Sequence, residues 1–121
     1  MTDTTPNARA ISVGELNDLI GNHEDVLIVD VREREKYAQG HIPGALAVPI
    51  GALELAADAT SIACDNELVL ARAGIVVLCC QDERRSRVAA QRLERLGFSM
   101  VYYLAGGLAQ WQAEGLPLAR R

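Results

Sequence analysis

The residues best suited to chemistry lie in one short segment, residues 80–86, which runs Cys-Gln-Asp-Glu-Arg-Arg-Ser. It follows an apolar run typical of a buried strand and leads into a sequence typical of a helix. A loop at the start of a helix presents unpaired backbone N–H groups and the positive end of the helix dipole, so it can form an anion-binding nest. Cys80, at the first position of the loop, would hold its sulfur in that nest, which would favour the nucleophilic thiolate.

The charges of this loop cancel by formal count. Asp82 and Glu83 stand against Arg84 and Arg85, so the affinity for an anion must come mainly from backbone N–H groups, including that of Gln81. We expect both carboxylates to face solvent or to pair with arginines, because an unpaired charge near the sulfur would be costly. The same cradle would hold a terminal persulfide anion or an incoming oxyanion.

The other cysteines suit structural roles. A cysteine at the end of a buried strand is more often a small core residue than a nucleophile, and Cys79 and Cys64 fit that interpretation. Strand alternation places Cys79 and Cys80 on opposite faces of the sheet. His23 and His41 lie far from the cysteines in sequence, so the ligand spacing of a zinc site is absent and we predict no metal and no cofactor.

The elements that must position these residues alternate between strands and helices. Ser12 and Glu15 have the spacing of a capping box, which predicts a helix reaching about residue 20. Further helices are predicted at residues 33–39, 51–73, 86–96 and around Trp111, and strands at residues 26–29, 45–48, 75–79 and 101–104. This order predicts an α/β fold with a mostly parallel sheet flanked by helices. Ligands of such folds bind at the carboxyl ends of the strands, where Asp30 and Arg32 follow one strand and Cys80 follows another.

Length and composition indicate one domain. The chain has 121 residues, of which we expect residues 1–9 to be a flexible N-terminus and residues 10–121 the folded domain. The net charge of −4 argues against a nucleic-acid partner, and no apolar run is long enough to cross a membrane. Three cysteines, an odd number, and the lack of an apolar leader favour a reducing cytoplasmic location.

Three segments together resemble the signatures of a known family, the rhodanese-like domain. They are residues 30–33 with Tyr37 and residues 40–45; residues 75–86; and residues 97–98 and 101 with residues 104–107 and Trp111. The resemblance extends from about residue 11 to residue 118. It implies a three-layer domain of the single-domain type, with a mostly parallel five-stranded central sheet between helices.

The resemblance also implies an activity, sulfur transfer. Cys80 would take sulfane sulfur from thiosulfate or a protein persulfide donor and pass it to a thiol, a protein acceptor or cyanide, through a covalent persulfide. Arg85 and the loop amides would stabilise the sulfur anion, with Ser86 in support. Asp30 and Arg32 match a pair that braces the loop in the family. We expect a monomer or homodimer.

One departure from the family pattern leaves two alternatives open. Glu83 stands where the family loop usually has glycine, and a positive φ there would strain a glutamate by roughly 1 kcal/mol or more. The chain could therefore be a weakly active or inert binding module. The other alternative is a phosphatase or arsenate reductase that uses Cys79, five intervening residues and Arg85, a spacing that the sequence also satisfies.

Overall fold

A five-stranded sheet, parallel in every pairing, forms the centre of the computed structural model, which describes residues 8–120. The strands are β1 (Arg9–Ile11), β2 (Val26–Asp30), β3 (Leu46–Ala47), β4 (Ile75–Cys79) and β5 (Met100–Leu104). Their order across the sheet is β1-β5-β4-β2-β3. The predicted α/β fold with a five-stranded parallel sheet flanked by helices is confirmed.

Within residues 8–120, six helices cover the two faces of the sheet. They are α1 (Val13–Gly21), α2 (Arg34–Gln39), α3 (Leu53–Ala57), α4 (Asn66–Leu70), α5 (Arg84–Arg95) and α6 (Gly107–Ala113), with a 3-10 turn at Ile50–Ala52. The predicted capping box is present at α1: the Ser12 hydroxyl accepts the Glu15 N–H at 3.0 Å, and the Glu15 carboxylate accepts the Ser12 N–H at 2.9 Å. No helix in residues 8–120 is long and apolar enough to span a bilayer.

The sheet separates two apolar clusters because successive residues of a buried strand face opposite sides. One cluster packs β2 and β4 against α3, α4 and α5, and it includes Val29, Leu78 and Leu93. The other lies under α1 and α6 and includes Val77 and Trp111. Consecutive residues at the end of a strand therefore pack in different apolar clusters, according to the face of the sheet on which each side chain lies.

The structure differs from the sequence prediction at the N-terminus of the chain. Arg9, assigned to the flexible segment, is the first residue of β1 and pairs with Tyr102. The other residues of that segment, except Ala8, lie outside the described residues. The short β1 carries one buried side chain, Ile11, which is too little pattern to predict a strand.

Helix α5 also begins earlier than predicted, at Arg84 rather than at residue 86. Its buried face comprises Ser86, Ala89, Ala90 and Leu93, at the spacing of one helical stripe. Val88 and Leu96 are more than a third exposed, because Val88 lies off this stripe and Leu96 lies beyond the last turn.

Candidate functional site

An open depression at the carboxyl end of the sheet contains most of the predicted site residues. Parallel pairing brings the ends of β2 and β4 side by side, with Asp30 opposite Cys79. The depression is lined by Arg32, Glu33, Lys36 and Ile50 on the β2 side and by Cys80, Gln81, Asp82, Arg84, Arg85 and Val88 on the β4 side. Sequence reasoning did not assign four of these residues to the site, because only the packing of separate elements brings them to its walls: Glu33, Lys36, Ile50 and Val88.

Cys80 is only 2% exposed, and its sulfur lies among polar groups of the loop that follows β4. The Ser86 N–H, from the first turns of α5, donates to Sγ at 3.4 Å. The thiol can donate to the Ser86 hydroxyl or to the Asp82 carbonyl, each at 3.5 Å. The contact with the Ser86 N–H is the geometry expected for a sulfur held at a helix start, although the contacts among residues 8–120 include one such N–H rather than several.

The early start of α5 puts Arg84 and Arg85 in its first turn, so the connecting loop is shorter than predicted. The Asp82 carboxylate accepts the Arg84 N–H at 2.8 Å and lies 3.6 Å from the Arg84 guanidinium. The N–H bond, with help from the Arg84 charge, lowers the pKa of Asp82. Arg85 is exposed to the depression, and within residues 8–120 its side chain has no hydrogen bond or ion pair, so its charge can act on a bound anion.

Glu83 is not strained, because the positive φ that would strain a glutamate at this position is absent. Its φ of −136° and ψ of −1° lie outside the left-handed region. Its carboxylate accepts the Gly106 N–H at 2.9 Å and the Arg87 guanidinium at 2.7 Å. These two bonds, the Gly106 N–H first, lower the pKa of Glu83. The predicted pairing of both loop carboxylates with arginines is thus present, Asp82 with Arg84 and Glu83 with Arg87.

The start of α6 holds the loop from the other side. The Leu108 N–H donates to the Cys80 carbonyl at 2.9 Å, and the Ala109 N–H donates to the Gln81 carbonyl at 3.0 Å. A Cβ on Gly107, whose φ is +62°, would lie 1.7 Å from the Asp82 carbonyl oxygen, so only glycine allows this approach. The pair Gly106-Gly107 was the sequence signal for this contact, and in the sequence it figured only as part of the C-terminal segment that resembles the family.

Asp30 and Arg32 form a buried ion pair at the end of β2. The Arg32 guanidinium donates from Nε to Asp30 Oδ1 at 3.0 Å and from Nη2 to Oδ2 at 2.8 Å. It also donates to the Gly40 carbonyl at 2.7 Å. These bonds tie β2 to the end of α2 rather than to the cysteine loop, so the pair shapes the opposite wall of the depression.

Cys79 lies on the other face of the sheet. It is fully buried in the cluster under α1 and α6, and burial, followed by the nearby charge of Asp30, raises the pKa of its thiol well above the ordinary range. This placement contradicts the phosphatase alternative, which required Cys79 to face the loop. Cys64 is partly exposed and is not among the lining residues of the depression.

Two further features concern metal binding and histidine. In residues 8–120 no group of three or more His, Cys, Asp or Glu side chains is placed to hold a metal ion. His41 stacks on Tyr37 with 3.7 Å between ring centroids, and its Nδ1 lies 2.7 Å from the Tyr37 carbonyl oxygen. It therefore supports the turn after α2 and does not line the depression.

Comparison with known proteins decides the family. The sequence profile described as Rhodanese-like domain matches residues 12–114. The chain belongs to the rhodanese-like domain family. The resemblance carried by the three sequence segments is thereby confirmed, and the fold agrees with solved rhodanese-like structures.

Named relatives of this rhodanese-like domain include sulfurtransferases. A protein named Sulfurtransferase from Allochromatium vinosum is 33% identical over 85% of this chain and 87% of its own length. The structure of the human single-domain sulfurtransferase TSTD1 superposes with a TM-score of 0.76 at 28% identity, covering 89% of this chain and 98% of that one. These likenesses support a sulfurtransferase-like role for the domain.

Other relatives differ from these sulfurtransferases in described activity or in length. A Rhodopseudomonas palustris structure, described as a protein of unknown function and possible tyrosine phosphatase, has a TM-score of 0.85 at 25% identity over 93% of this chain and 85% of that one. The chain spans about half the length, 49%, of a Bacillus subtilis relative to which it is 30% identical.

Proposed function

We propose that this rhodanese-like domain is a sulfurtransferase in which Cys80 carries sulfane sulfur as a persulfide. The observation that supports this most directly is that the Cys80 sulfur lies 3.4 Å from the Ser86 N–H at the start of α5, in a residue that lines an open depression. A hydrogen-bond donor and a helix N-terminus beside a sulfur stabilise negative charge on it.

The reaction is a double displacement without net oxidation. The Cys80 thiolate attacks the outer sulfur of thiosulfate, the S–S bond of thiosulfate breaks, and sulfite leaves with the electron pair. With a protein persulfide as donor, the leaving group is the donor's thiolate. An acceptor thiolate, or cyanide, then attacks the terminal sulfur of the Cys80 persulfide and releases the Cys80 thiolate.

Several residues around Cys80 can stabilise the negative charge on its sulfur during this reaction. The Ser86 N–H lies 3.4 Å from Sγ and can donate to a sulfur anion, and the Ser86 hydroxyl, which donates to the Glu83 carbonyl, lies 3.5 Å from Sγ. Arg85 supplies a positive charge on the same wall, and Gln81 lines the wall beside it. The step needs no cofactor for its electron balance, and the free thiols of the chain suit the reducing cytoplasm.

Intact-mass measurement tests the proposal. Three proteins are compared: wild type, Cys80→Ser and Cys79→Ser. Each is treated separately with thiosulfate and with a low-molecular-weight persulfide, and its intact mass is measured before and after addition of cyanide. We expect wild type and Cys79→Ser to gain one cyanide-labile sulfur and Cys80→Ser to gain none. Wild-type protein that gains no sulfur from either donor would overturn the proposal.

A binding module is the second candidate, and the 2% exposure of Cys80 favours it. An inert Cys80 would resist alkylation in the folded protein at every pH up to about 8.5, the pKa of an ordinary cysteine thiol. Alkylation of Cys80 well below that pH in the native protein would favour the transferase.

A further inference from the structure

This inference rests on the proposed function, in which a donor anion must reach Cys80. One loop carboxylate lies beside Cys80 and repels such an anion. We propose that Asp82 sets donor specificity: its carboxylate occupies the anion position at the start of α5 beside Cys80 and disfavours dianionic donors such as thiosulfate. On the proposed function, donors of lower charge are therefore the better substrates.

The contacts of one oxygen atom carry this inference. Asp82 Oδ1 accepts, at 2.8 Å, the N–H of Arg84, one of the amides at the start of α5 that have no carbonyl partner within the helix. The same oxygen lies 3.9 Å from the Cys80 sulfur. An N–H that could bind the oxyanion of a donor beside the sulfur is thus already bonded to a carboxylate of the chain itself.

The charge on Asp82 persists at neutral pH. The Arg84 N–H bond lowers the pKa of Asp82, as does the Arg84 guanidinium 3.6 Å from Oδ2. Glu33, Lys36, Arg32 and Arg85 also line the depression and act on a donor together with Asp82 and Arg84. Coulomb energy is proportional to charge. Removing the Asp82 charge should therefore raise the logarithm of kcat/KM about twice as much for a dianionic donor as for a monoanionic donor.

Two donors that react in the same way but differ in charge provide the test. Thiosulfate is a dianion, and an aryl thiosulfonate is a monoanion. In each case the Cys80 thiolate attacks the terminal sulfur and the S–S bond breaks. Sulfite leaves from thiosulfate, and an aryl sulfinate leaves from the thiosulfonate, each with the electron pair.

The variant Asp82→Asn keeps an oxygen that can accept the Arg84 N–H and removes the charge. We expect kcat/KM for thiosulfate to rise about tenfold and kcat/KM for the thiosulfonate about threefold, so that the ratio of the two rises about threefold. Asp82→Ser, which also keeps an acceptor oxygen, should change the ratio in the same direction.

Asp58 offers a matched control. Its carboxylate accepts the N–H of Thr60, two residues on, at 2.9 Å, as Asp82 accepts that of Arg84 at 2.8 Å, and both aspartates are exposed. Asp58 is not among the lining residues of the depression. Asp58→Asn changes the net charge equally and should leave the ratio of the two donors unchanged.

The outcomes separate this inference from the proposed function. A ratio that rises in both Asp82 variants and not in Asp58→Asn supports it. An unchanged or lower ratio in both Asp82 variants, or an equal rise in Asp58→Asn, overturns it while wild type still loads sulfur on Cys80. Wild-type protein that loads no sulfur from either donor overturns the proposed function itself.

Discussion

The carboxylate of Glu83 accepts the backbone N–H of Gly106 at 2.9 Å, although the two residues are 23 positions apart in the chain. The bond joins the loop after β4 to the start of α6, where the Leu108 N–H also holds the Cys80 carbonyl. A glutamate in place of the usual loop glycine thus connects the two elements that frame the sulfur, and it does so without backbone strain.

Glu83→Gln is expected to lower the free energy of unfolding by about 1 kcal/mol at pH 7, since it weakens the hydrogen bond to Gly106 and removes the ion pair with Arg87. Because the pKa of Glu83 is lowered in the folded protein, ionised Glu83 stabilises the fold above its unfolded pKa of about 4.3. This stability is lost as the pH falls through the lower folded pKa, so the difference between wild type and variant should shrink there.

Urea unfolding at several pH values measures this difference. Glu24→Gln is the control, because Glu24 is exposed and its side chain makes no hydrogen bond within residues 8–120. Equal effects of the two variants, or a Glu83→Gln effect that does not change with pH, would contradict the assignment.

Gly107→Ala should destabilise the domain by about 2 kcal/mol or more and should slow sulfur loading on Cys80. The new Cβ would meet the Asp82 carbonyl at 1.7 Å, and φ at this position is +62°, so the loop or α6 must move. Gly51→Ala, where nothing lies within 4 Å of the added Cβ, should be nearly neutral. Thermal unfolding and persulfide yield report the two effects, and a Gly107→Ala variant as stable and active as wild type would refute the close approach.

Asp30→Asn should destabilise the domain by about 3 kcal/mol, because it leaves the Arg32 charge buried with a weakened partner. The double variant Asp30→Asn/Arg32→Met should cost less than the sum of the single variants, since it removes both charges. Urea unfolding of the four proteins completes this cycle. Strict additivity would mean that the two side chains do not act as a pair.

Cys79 should resist alkylation in the folded protein. Burial raises the pKa of its thiol, so neither access nor thiolate is available at pH 8. Peptide mapping of native protein after iodoacetamide treatment should find Cys79 unmodified, and the same treatment in urea should modify it. Native labelling of Cys79 in the Cys80→Ser variant would reopen the phosphatase alternative.

The sequence by itself determined the fold class, the capping box of α1 and the placement of Cys79 and Cys80 on opposite faces of the sheet. These features depend on local patterns: apolar runs bounded by polar residues, a serine three residues before a glutamate, and the alternation of a strand that ends at Cys79. Such patterns are local in the chain, so they can be recognised without the folded structure.

Only the tertiary structure decided what the loop carboxylates do. The partner of Glu83 is Gly106, and the neighbours of Cys80 across the depression include Ile50 and Lys36. These contacts arise because parallel pairing brings the carboxyl ends of β2, β4 and β5 together at one end of the sheet. Which backbone N–H a carboxylate meets there depends on packing between distant segments, and no spacing along the chain encodes it.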